Sequence, residues 1–491
     1  MANLMQVLDK IDETQPASGI SPFGDRISAE LSPKVAIKAT YGLIDIDTET
    51  FNATGGGVSV SNSEFLCQSG TSVGGYGTIW SRRPIVYVPG VGCEARITAR
   101  FSAGASGYLQ LAGLFSGADG MMFVQRDGNF GVMHRYGGSF AIRRLTLTVA
   151  SGGTETITLI VDDVEYTLAV AASATVEEAA HDLAAAMEAD SGFNARWYVN
   201  HIDDGIVIMY RGVGPHTGTY SIASTGTLAG SFTTLSTGVT PTEDITYQED
   251  WNQDVAEWLD PTKGNLYRVE FAYLGYGPLN YYIMHPDTKR WKLVHQVEWP
   301  NAQTRTNLGN PSMRVGWAAA SVGGSGTNVT VHGGSAMAAL QGNGHITRPR
   351  HTAIGNKSSI STETSVISIK VRREFGGRAC LGIVVPHITV ATDSTKGMIF
   401  RMYLNPTVAG DTVHEYIHQT DSITIYDTAG TTVSGGELVY ATPVGPSGRA
   451  DLSTEDLGIL LNPGDELVVT AAVTSGAASG AFVTVVGEEI R

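Results

Sequence analysis

The sequence predicts a mainly β protein: two β-sandwich domains, a small inserted α+β domain and an extended N-terminal arm. Residues 265–301 give the strongest indication, because three apolar or aromatic runs alternate with period two and are separated by turn residues. In the first run, Tyr267, Val269 and Phe271 share one face, and Arg268 and Glu270 share the other. A sheet with one apolar face must pack against a second sheet, so this stretch predicts the centre of a sandwich.

The composition agrees with many short strands joined by tight turns. The chain has 491 residues, of which 42% are hydrophobic and 59 are glycine. Charged residues make up 16%, below the roughly 25% of an ordinary soluble domain. The length suffices for about three domains, each with a buried core.

Charge and cysteine content exclude several classes of partner. Lysine and arginine number 32 against 48 aspartates and glutamates, a net charge of −16, which disfavours nucleic acid and anionic membranes. Three cysteines without a CxxC spacing indicate neither a disulfide framework nor a metal site. The N-terminus has no signal-peptide pattern and no apolar run approaches roughly 18 residues, so we expect no membrane insertion.

Residues 1–60 are predicted to form an anchoring arm. Leu4, Val7, Leu8 and Ile11 have helical spacing, and the rest of the segment is extended and rich in turn residues. A helix this short is marginal in water by itself. We therefore expect these four side chains to dock on another protein chain.

The next boundaries follow from changes in pattern. Residues 61–147 and 241–340 are predicted to form one sandwich, interrupted by a ββαββ domain at 148–240. In that insert, Thr175 and Glu178 form a capping box before an apolar helical stripe, and a strand is predicted over residues 193–200. The insert should have adjacent ends and be self-sufficient, because loop tips tolerate such insertions.

Residues 350–491 contain no tryptophan and are rich in threonine, valine and glycine. Strands are predicted at 364–372, 380–391, 397–404, 422–427, 437–441 and 466–472. They predict a second, C-terminal β-sandwich.

Several motifs resemble a module of virion structural proteins from tailed phages and large DNA viruses. They lie at residues 87–92, 96–101, 130–134, 248–252, 266–277 and 294–301. The resemblance covers about residues 75–340 and includes the interruption by a small ββαββ domain. It implies a concanavalin-like jelly roll, contact with surfaces or glycans, and no catalytic residues or cofactor.

Whether one histidine-containing motif can bind a metal ion depends on its backbone conformation. His414, Glu415 and His418 match H-E-x-x-H, which makes a zinc site only on a helix. The neighbouring residues favour strands, where the two histidines lie about 13 Å apart. We therefore predict no metal site here.

Two carbohydrate-related hypotheses remain. Glu249, Asp250 and Asp254 are the candidate carboxylates for glycoside hydrolysis, although a charge cluster at a helix start explains them equally well. Among the aromatic residues, Tyr276, Tyr281, Trp291 and Trp299 are the candidate glycan platform.

The combined expectation is a non-enzymatic virion protein in a tail fibre, a baseplate or a capsid decoration. Its partners would be other virion proteins, and a homo-oligomer, a trimer by analogy, is expected. A carbohydrate-binding adhesin that contacts a host surface glycan is the first alternative. A polysaccharide-degrading tail spike is the second.

Overall fold

The computed structural model describes residues 31–342, 348–395, 397–410, 414–454, 458–475 and 478–490. Unit 1 comprises Met1–Gly138 with Thr240–Ile346, and unit 2 comprises Ser139–Val239 with Thr347–Arg491. The predicted mainly β class is confirmed, because antiparallel sheets dominate the described part of both units. Of the helices in that part, none has the length and apolar character needed to cross a bilayer.

The elements are numbered in chain order. The first strands are β1 (Ser32–Lys38), β2 (Thr48–Ala53), β3 (Gly57–Ser61), β4 (Glu64–Gln68), β5 (Tyr76–Ser81), β6 (Cys93–Phe101), β7 (Tyr108–Phe115), β8 (Gly120–Arg126) and β9 (Asn129–Tyr136). Then follow β10 (Ser139–Val149), β11 (Glu155–Val161), β12 (Val164–Val170), α1 (Val176–Ala189), α2 (Ser191–Arg196), β13 (Trp197–Ile202), β14 (Gly205–Tyr210), β15 (Tyr220–Ser224) and β16 (Ala229–Val239).

The chain then returns to unit 1. Its remaining strands there are β17 (Thr242–Tyr247), β18 (Asn265–Phe271), β19 (Leu279–Met284), β20 (Trp291–Val297), β21 (Arg314–Ser321), β22 (Thr330–Gly333) and β23 (Ser335–Leu340). The described part of unit 1 also contains 3-10 helices at Ala39–Tyr41 and Gln248–Asp250.

The C-terminal strands belong to unit 2. They are β24 (Arg350–Ile360), β25 (Thr364–Val371), β26 (Glu374–Phe375), β27 (Arg378–Ala379), β28 (Gly382–Thr392), β29 (Met398–Leu404), β30 (Thr407–Val408), β31 (Glu415–Tyr416), β32 (Thr424–Asp427), β33 (Val433–Ser434), β34 (Glu437–Val444), β35 (Arg449–Ser453), β36 (Leu460–Leu461), β37 (Glu466–Val473) and β38 (Ser479–Ile490).

Unit 1 is a sandwich of two antiparallel sheets. The nine-stranded sheet has the order β20-β19-β18-β6-β22-β4-β3, with β23 paired to β1 and β6, and the seven-stranded sheet has the order β17-β9-β8-β7-β21-β5-β2. One apolar core contains side chains from both sheets. Phe123 of β8 meets Tyr267 of β18 there, with ring centroids 4.6 Å apart.

The three strands predicted within residues 265–301 are β18, β19 and β20, in consecutive antiparallel pairing. Tyr267, Val269 and Phe271 face the core, as the alternation predicts. Arg268 and Glu270 face the opposite side of the sheet, yet they are also buried. This side, called the outer face of the nine-stranded sheet below, therefore differs from the half-solvated surface expected of a sandwich.

The predicted arm is wrong from residue 32 onward. β1 pairs with β23, β2 with β5 and β3 with β4, so this segment supplies strands to both sheets. Val35 and Ile37 alternate with exposed residues, and their side chains are buried in the core of unit 1. The paired strand β23 contributes further apolar side chains to the same core. Leu4, Val7, Leu8 and Ile11 lie outside the described residues.

The predicted start of the insert at residue 148 is also wrong. β10 begins at Ser139 and pairs with β14 and β16, because its alternation of apolar residues starts before the turn-rich region that suggested the boundary. Ser139 lies opposite Val239, so the ends of the insert are adjacent, as predicted. β9 and β17 pair directly, so the insert interrupts a hairpin of the seven-stranded sheet.

Within the insert, α1 begins as predicted. Thr175 accepts a hydrogen bond from the Glu178 backbone N–H, and the Glu178 side chain accepts one from the Thr175 N–H. The strand predicted over residues 193–200 is wrong in its first half. The Asp190 carboxylate accepts a hydrogen bond from the Phe193 N–H at 2.8 Å and caps α2, which delays β13 to Trp197.

The C-terminal residues of unit 2 form two sheets around one core. Their orders are β24-β38-β28-β35, with β36 paired to β28, and β31-β32-β25-β37-β29-β34. The insert is less independent than predicted, because it packs on this sandwich. The side-chain Oδ1 of Asn200 accepts a hydrogen bond from the Arg373 backbone N–H at 3.2 Å, and Val207 and Met209 pack with Ala379.

Candidate functional site

Cross-strand pairing places two rows of side chains on the outer face of the nine-stranded sheet. The first row is Met337, Arg96, Arg268, Tyr282 and Leu293. The second row is Ala339, Glu94, Glu270, Asn280 and Gln296. Residues directly opposite each other on neighbouring strands are close enough to interact, so the charged members of these rows are brought together.

Four side chains form what we call the Arg268 cluster: Arg268, Glu94, Glu270 and Gln341. Arg268 Nη2 lies 2.7 Å from Glu270 Oε2 and 3.3 Å from Glu94 Oε2. Gln341 Nε2 donates to Glu94 Oε2 at 3.2 Å and to Glu270 Oε1. Arg96 Nε donates to Glu94 Oε1 at 2.7 Å. Each carboxylate is therefore held by at least two donors.

Some polar atoms of the cluster remain unpaired. Within the described residues, Arg268 Nε, Arg268 Nη1 and Gln341 Oε1 are buried and have no hydrogen-bond partner. Buried donors and acceptors are almost always paired in proteins, because an unmade bond costs about 1–3 kcal/mol. The cluster thus contains two donor atoms and one acceptor atom that are unpaired and shielded from solvent.

Burial sets the electrostatics of the cluster. It raises the pKa of the Glu270 carboxyl, an effect that the adjacent Arg268 guanidinium opposes. It also raises the pKa of the Tyr282 hydroxyl. The Arg268 guanidinium lies 4.6 Å from the centre of the Tyr282 ring, a cation–π contact that holds it over the sheet.

A partly exposed rim borders the cluster. Trp291 lies opposite Met284, and Leu266, which is 43% exposed, lies opposite Thr98. The Arg96 guanidinium lies 5.9 Å from the centre of the Trp291 ring. An accessible aromatic ring beside polar groups is suited to a ligand with both an apolar face and hydroxyl groups.

The structure does not bring the four predicted platform residues together. Tyr281 and Trp299 are buried, with Tyr281 Oη donating to the Met133 carbonyl at 2.9 Å and Trp299 Nε1 to the Arg305 carbonyl at 2.6 Å. Tyr276 is 46% exposed in the turn before β19, and Trp291 pairs with the last residue of β19. Of the four residues, Tyr276 and Trp291 are accessible and Tyr281 and Trp299 are not, because periodicity does not tell which face of each aromatic strand is covered.

The H-E-x-x-H residues lie on extended chain and in a turn. Glu415 belongs to β31, and His414 is buried with Nε2 3.3 Å from Ser368 Oγ and 3.6 Å from Glu466 Oε1. His418 is exposed and pairs with Asp421. The helix that the motif requires is not formed at these residues.

Glu415 and His418 line an open groove of about 710 Å³ in unit 2. Its other lining residues are Glu177, Asp203, Tyr416, Ile417 and Gln419. Burial raises the pKa of Asp203, and the neighbouring Asp204 and Glu415 carboxylates raise it further. Among the described residues, no group of three or more histidine, cysteine, aspartate or glutamate side chains is placed to hold a metal ion.

Of the three candidate hydrolytic carboxylates, Asp254 has partners close to it in the fold. Glu249 and Asp250 lie in the 3-10 helix that precedes Trp251. Asp254 Oδ1 accepts a hydrogen bond from the Ala256 N–H at 2.7 Å, and Asp254 Oδ2 lies 3.3 Å from Lys292 Nζ. The alternative explanation, a local charge cluster, describes Asp254 better than a catalytic role.

The Arg268 cluster itself was not predicted as a site. The available signal was the pair Arg268 and Glu270 at alternate positions of an aromatic strand, which places them on the face opposite the core and does not tell whether that face is buried. Their partners Glu94 and Gln341 come from distant positions in the chain, so neither spacing nor periodicity links them.

Comparison with known proteins gives fold-level likeness only. No family model matches the sequence, and no curated protein matches it. Similar solved structures include the Ca2+/Man3GlcNAc-bound exoplasmic/lumenal domain of VIP36, with 12% identity, coverage of 65% of this chain and 95% of that chain, and a TM-score of 0.26. A legume lectin-like domain from Entamoeba histolytica has 9% identity, 60% and 89% coverage, and a TM-score of 0.24.

A lectin from Bauhinia forficata in complex with GalNAc has 9% identity, coverage of 62% of this chain and 97% of that chain, and a TM-score of 0.21. The likeness of these structures to this chain concerns their β-sandwich architecture. At these identities and TM-scores it carries no argument about what this chain binds.

Proposed function

We propose that unit 1 is a carbohydrate-binding sandwich and that its ligand lies on the outer face of the nine-stranded sheet. One observation carries the proposal: the partly exposed Trp291 ring lies on the outer face beside the partly exposed Arg96 guanidinium, whose Nε donates to Glu94. A sugar offers hydroxyl groups, which both donate and accept, and a C–H face that packs on an aromatic ring. Few other ligand classes supply both.

We propose binding without hydrolysis. In glycosidases, two carboxyl groups flank the glycosidic bond that is cleaved. Glu94 and Glu270 instead share one guanidinium nitrogen and are almost completely buried. A polysaccharide-degrading spike would require both carboxylates to be released from Arg268, so this alternative has less support than an adhesin.

The setting we propose is a virion, on the basis of the sequence motifs between residues 75 and 340. In that setting the N-terminal residues, with Leu4, Val7, Leu8 and Ile11, dock on other virion proteins, and the sandwich presents its ligand face to a host glycan. A chain that starts at Leu31 keeps every described strand, so we expect it to fold but not to join its assembly. A chain that starts at Tyr41 lacks β1 and its buried Val35 and Ile37, so it should be less stable.

The binding proposal is tested with immobilised oligosaccharides and purified full-length protein. Trp291→Ala removes the accessible ring and should weaken binding about tenfold, the effect of one aromatic contact. Tyr276→Ala is the matched control, because it removes another exposed aromatic ring of the same unit, one that precedes the first residue of β19, whereas Trp291 pairs with the last. Binding that depends on Tyr276 and not on Trp291 would contradict the proposed location.

Hydrolysis is tested with the same oligosaccharides. Reducing ends should not accumulate during prolonged incubation with the wild-type protein. Accumulation that disappears in Glu94→Gln and Glu270→Gln would favour the degrading spike over the adhesin.

A further inference from the structure

We infer that two copies of this chain associate through β24, an edge strand of the five-stranded sheet in unit 2, across a two-fold axis at Ile354. In this arrangement the two β24 strands run antiparallel, and the two sheets become one continuous sheet. The inference does not depend on the proposed carbohydrate-binding function. Its symmetry differs from that of the trimer expected by analogy.

Within the described residues, β24 is the last strand of its sheet and pairs with β38 along one edge only. The Pro349 carbonyl accepts a hydrogen bond from the Glu489 N–H of the β38 segment at 3.0 Å, so the main chain at position 349 points towards β38. Successive residues of an antiparallel strand direct their main-chain groups to alternate edges. The residues that direct theirs to the open edge are therefore Arg350, Thr352, Ile354 and Asn356.

The side chains along this open edge do not protect it. Thr352, Ile354 and Asn356 are exposed and uncharged, and Ile354 is 66% exposed. Phe482 of β38 lies opposite Asn356 and is 48% exposed. Edge strands of soluble proteins usually carry charged residues or proline, which prevent another strand from pairing. An uncharged edge with apolar side chains beside it is therefore suited to pairing with a second strand.

The charged side chains of β24 are engaged within their own chain. Arg350 Nε donates to Glu488 Oε1 at 2.7 Å. Lys357 Nζ donates to the Thr428 carbonyl at 3.0 Å and to the Ala429 carbonyl at 3.2 Å. These two cations are held by acceptors of the same chain, so they do not repel a strand that approaches the open edge.

The strand at the opposite end of the same sheet, β35, has a different character. It is five residues long, whereas β24 has eleven. Its exposed side chains include Arg449 and Asp451, which form an ion pair at 2.8 Å. Short length and exposed charge are both features that prevent pairing at an edge. The contrast indicates that β24 is the edge of this sheet that can accept another strand.

A second copy of β24 matches this edge in a self-complementary register. A two-fold axis at Ile354 places this residue opposite its own equivalent, and Thr352 opposite Asn356 of the second copy. All of these residues direct their main-chain groups to the open edge, so about six hydrogen bonds form between the copies. Arg350 lies opposite Ser358, at the bulge that ends the regular pairing, so no like charges face each other.

The size of the contact sets its strength. Pairing involves about eight residues from each copy, fewer than the roughly 20–30 residues on each side of a standard interface. We therefore expect a reversible dimer that dissociates on dilution into the micromolar range.

Sedimentation velocity of the full-length protein, between about 1 and 200 µM, tests the association. The wild type should show a monomer–dimer equilibrium. Ile354→Lys places two positive charges opposite each other on the axis, so the dissociation constant should rise at least about tenfold. Leu438→Lys is the matched control, because Leu438 is 52% exposed on β34, the last strand of the other described sheet of the same sandwich. This variant should dimerise like the wild type.

Oxidative cross-linking tests the position of the axis, and it does not require the lysine variant to fold. Directly opposite residues of a hydrogen-bonded antiparallel pair have Cα atoms about 5.5 Å apart, within the range of a disulfide. Ile354→Cys should therefore give a disulfide-linked dimer. Asn356→Cys should not, because Asn356 lies opposite Thr352. The native cysteines are all buried: Cys67, Cys93 and Cys380.

A wild-type protein that stays monomeric up to about 200 µM would overturn the inference. A trimer, or a dimer that persists unchanged in Ile354→Lys, would overturn it as well. Cross-linking of Asn356→Cys in place of Ile354→Cys would contradict the axis at Ile354.

Discussion

Two buried carboxylate clusters, one in each unit, differ in how completely their own chain satisfies them. In unit 2, Glu489 Oε1 accepts hydrogen bonds from Ser422 Oγ at 2.5 Å, the Ile423 N–H at 2.9 Å and Thr424 Oγ1 at 3.2 Å. In unit 1, the Arg268 cluster pairs its carboxylates but leaves Arg268 Nε, Arg268 Nη1 and Gln341 Oε1 without partners. Both clusters are almost completely buried.

The comparison shows that burial of charge does not by itself distinguish a structural role from recognition. A carboxylate whose partners all belong to the chain fixes the positions of those partners. A cluster that leaves buried donors and an acceptor unpaired is less stable than one that pairs them all. The number of unpaired atoms is therefore the more informative quantity.

The largest loss of stability is expected on substitution of Glu489, whose carboxylate accepts hydrogen bonds from its own chain. Glu489→Leu leaves the Ser422, Ile423 and Thr424 donors without their acceptor, so the free energy of unfolding of unit 2 should fall by roughly 3–6 kcal/mol. Glu489→Gln keeps an acceptor oxygen and should cost less. Hydrogen exchange resolved along the sequence measures both, and equal protection in the two variants would contradict this account of Glu489.

A smaller but pH-dependent effect is expected in unit 1. Arg268→Met leaves Glu94 and Glu270 buried without their shared cation, at a cost of about 3 kcal/mol near neutral pH. Burial already raises the pKa of Glu270, and loss of Arg268 raises it further. A raised carboxyl pKa favours the folded state at low pH, so the variant should regain stability as the pH falls from 8 to 5. Urea unfolding at several pH values measures this, and a pH-independent loss would contradict it.

Each unit contains a buried histidine that should make its stability sensitive to acid. Burial lowers the pKa of His134 in unit 1 from 6.5 to about 4, and that of His201 in unit 2 to about 3. Because the unfolded chain binds these protons first, stability is full above pH 6.5 and declines as the pH falls towards the folded pKa.

His134→Gln removes that titration from unit 1 alone. The contribution of His134 to the acid-dependent loss of stability between pH 6.5 and 4, ~3 kcal/mol, should be lost, so the acid response of unit 1 should shrink to what His295 and His332 leave, and that of unit 2 should be unchanged. Hydrogen exchange at pH 7 and pH 4.5 separates the two units. An unchanged acid response of the unit 1 strands would show that another group controls it.

The smallest effect is expected at the H-E-x-x-H residues. His414→Ala removes the contacts with Ser368 and Glu466 and should cost about 1 kcal/mol. Elemental analysis should find substoichiometric zinc in both the wild type and the variant. A stoichiometric zinc ion that is lost on substitution would contradict the strand interpretation.

The fold was largely predictable because the relevant signals are local. Alternation in β18 predicted which side chains enter the core, and Thr175 with Glu178 predicted the start of α1. The predicted boundary of the N-terminal arm was wrong because Val35 and Ile37 pack in a core that β23 completes. That strand lies about three hundred residues further along the chain.

The candidate site was less predictable, for a physical reason. The role of Arg268 depends on Glu94 and Gln341, which tertiary pairing alone brings to it. The aromatic platform could not be predicted for a similar reason. The sequence pattern around Tyr281 and Trp299 is the same whether their side chains are buried or exposed. Burial of a face is a property of the assembled sheets and cannot be obtained from one strand.

The central claim is that the outer face of the nine-stranded sheet is the ligand face. Hydrogen exchange of the full-length protein with and without a bound neutral oligosaccharide tests it most directly. Added protection should concentrate in β6, β18 and β19 and in the residues around Gln341, with the turn at Tyr276 unchanged. Protection confined to the groove of unit 2, or to the strands of the seven-stranded sheet, would contradict the account.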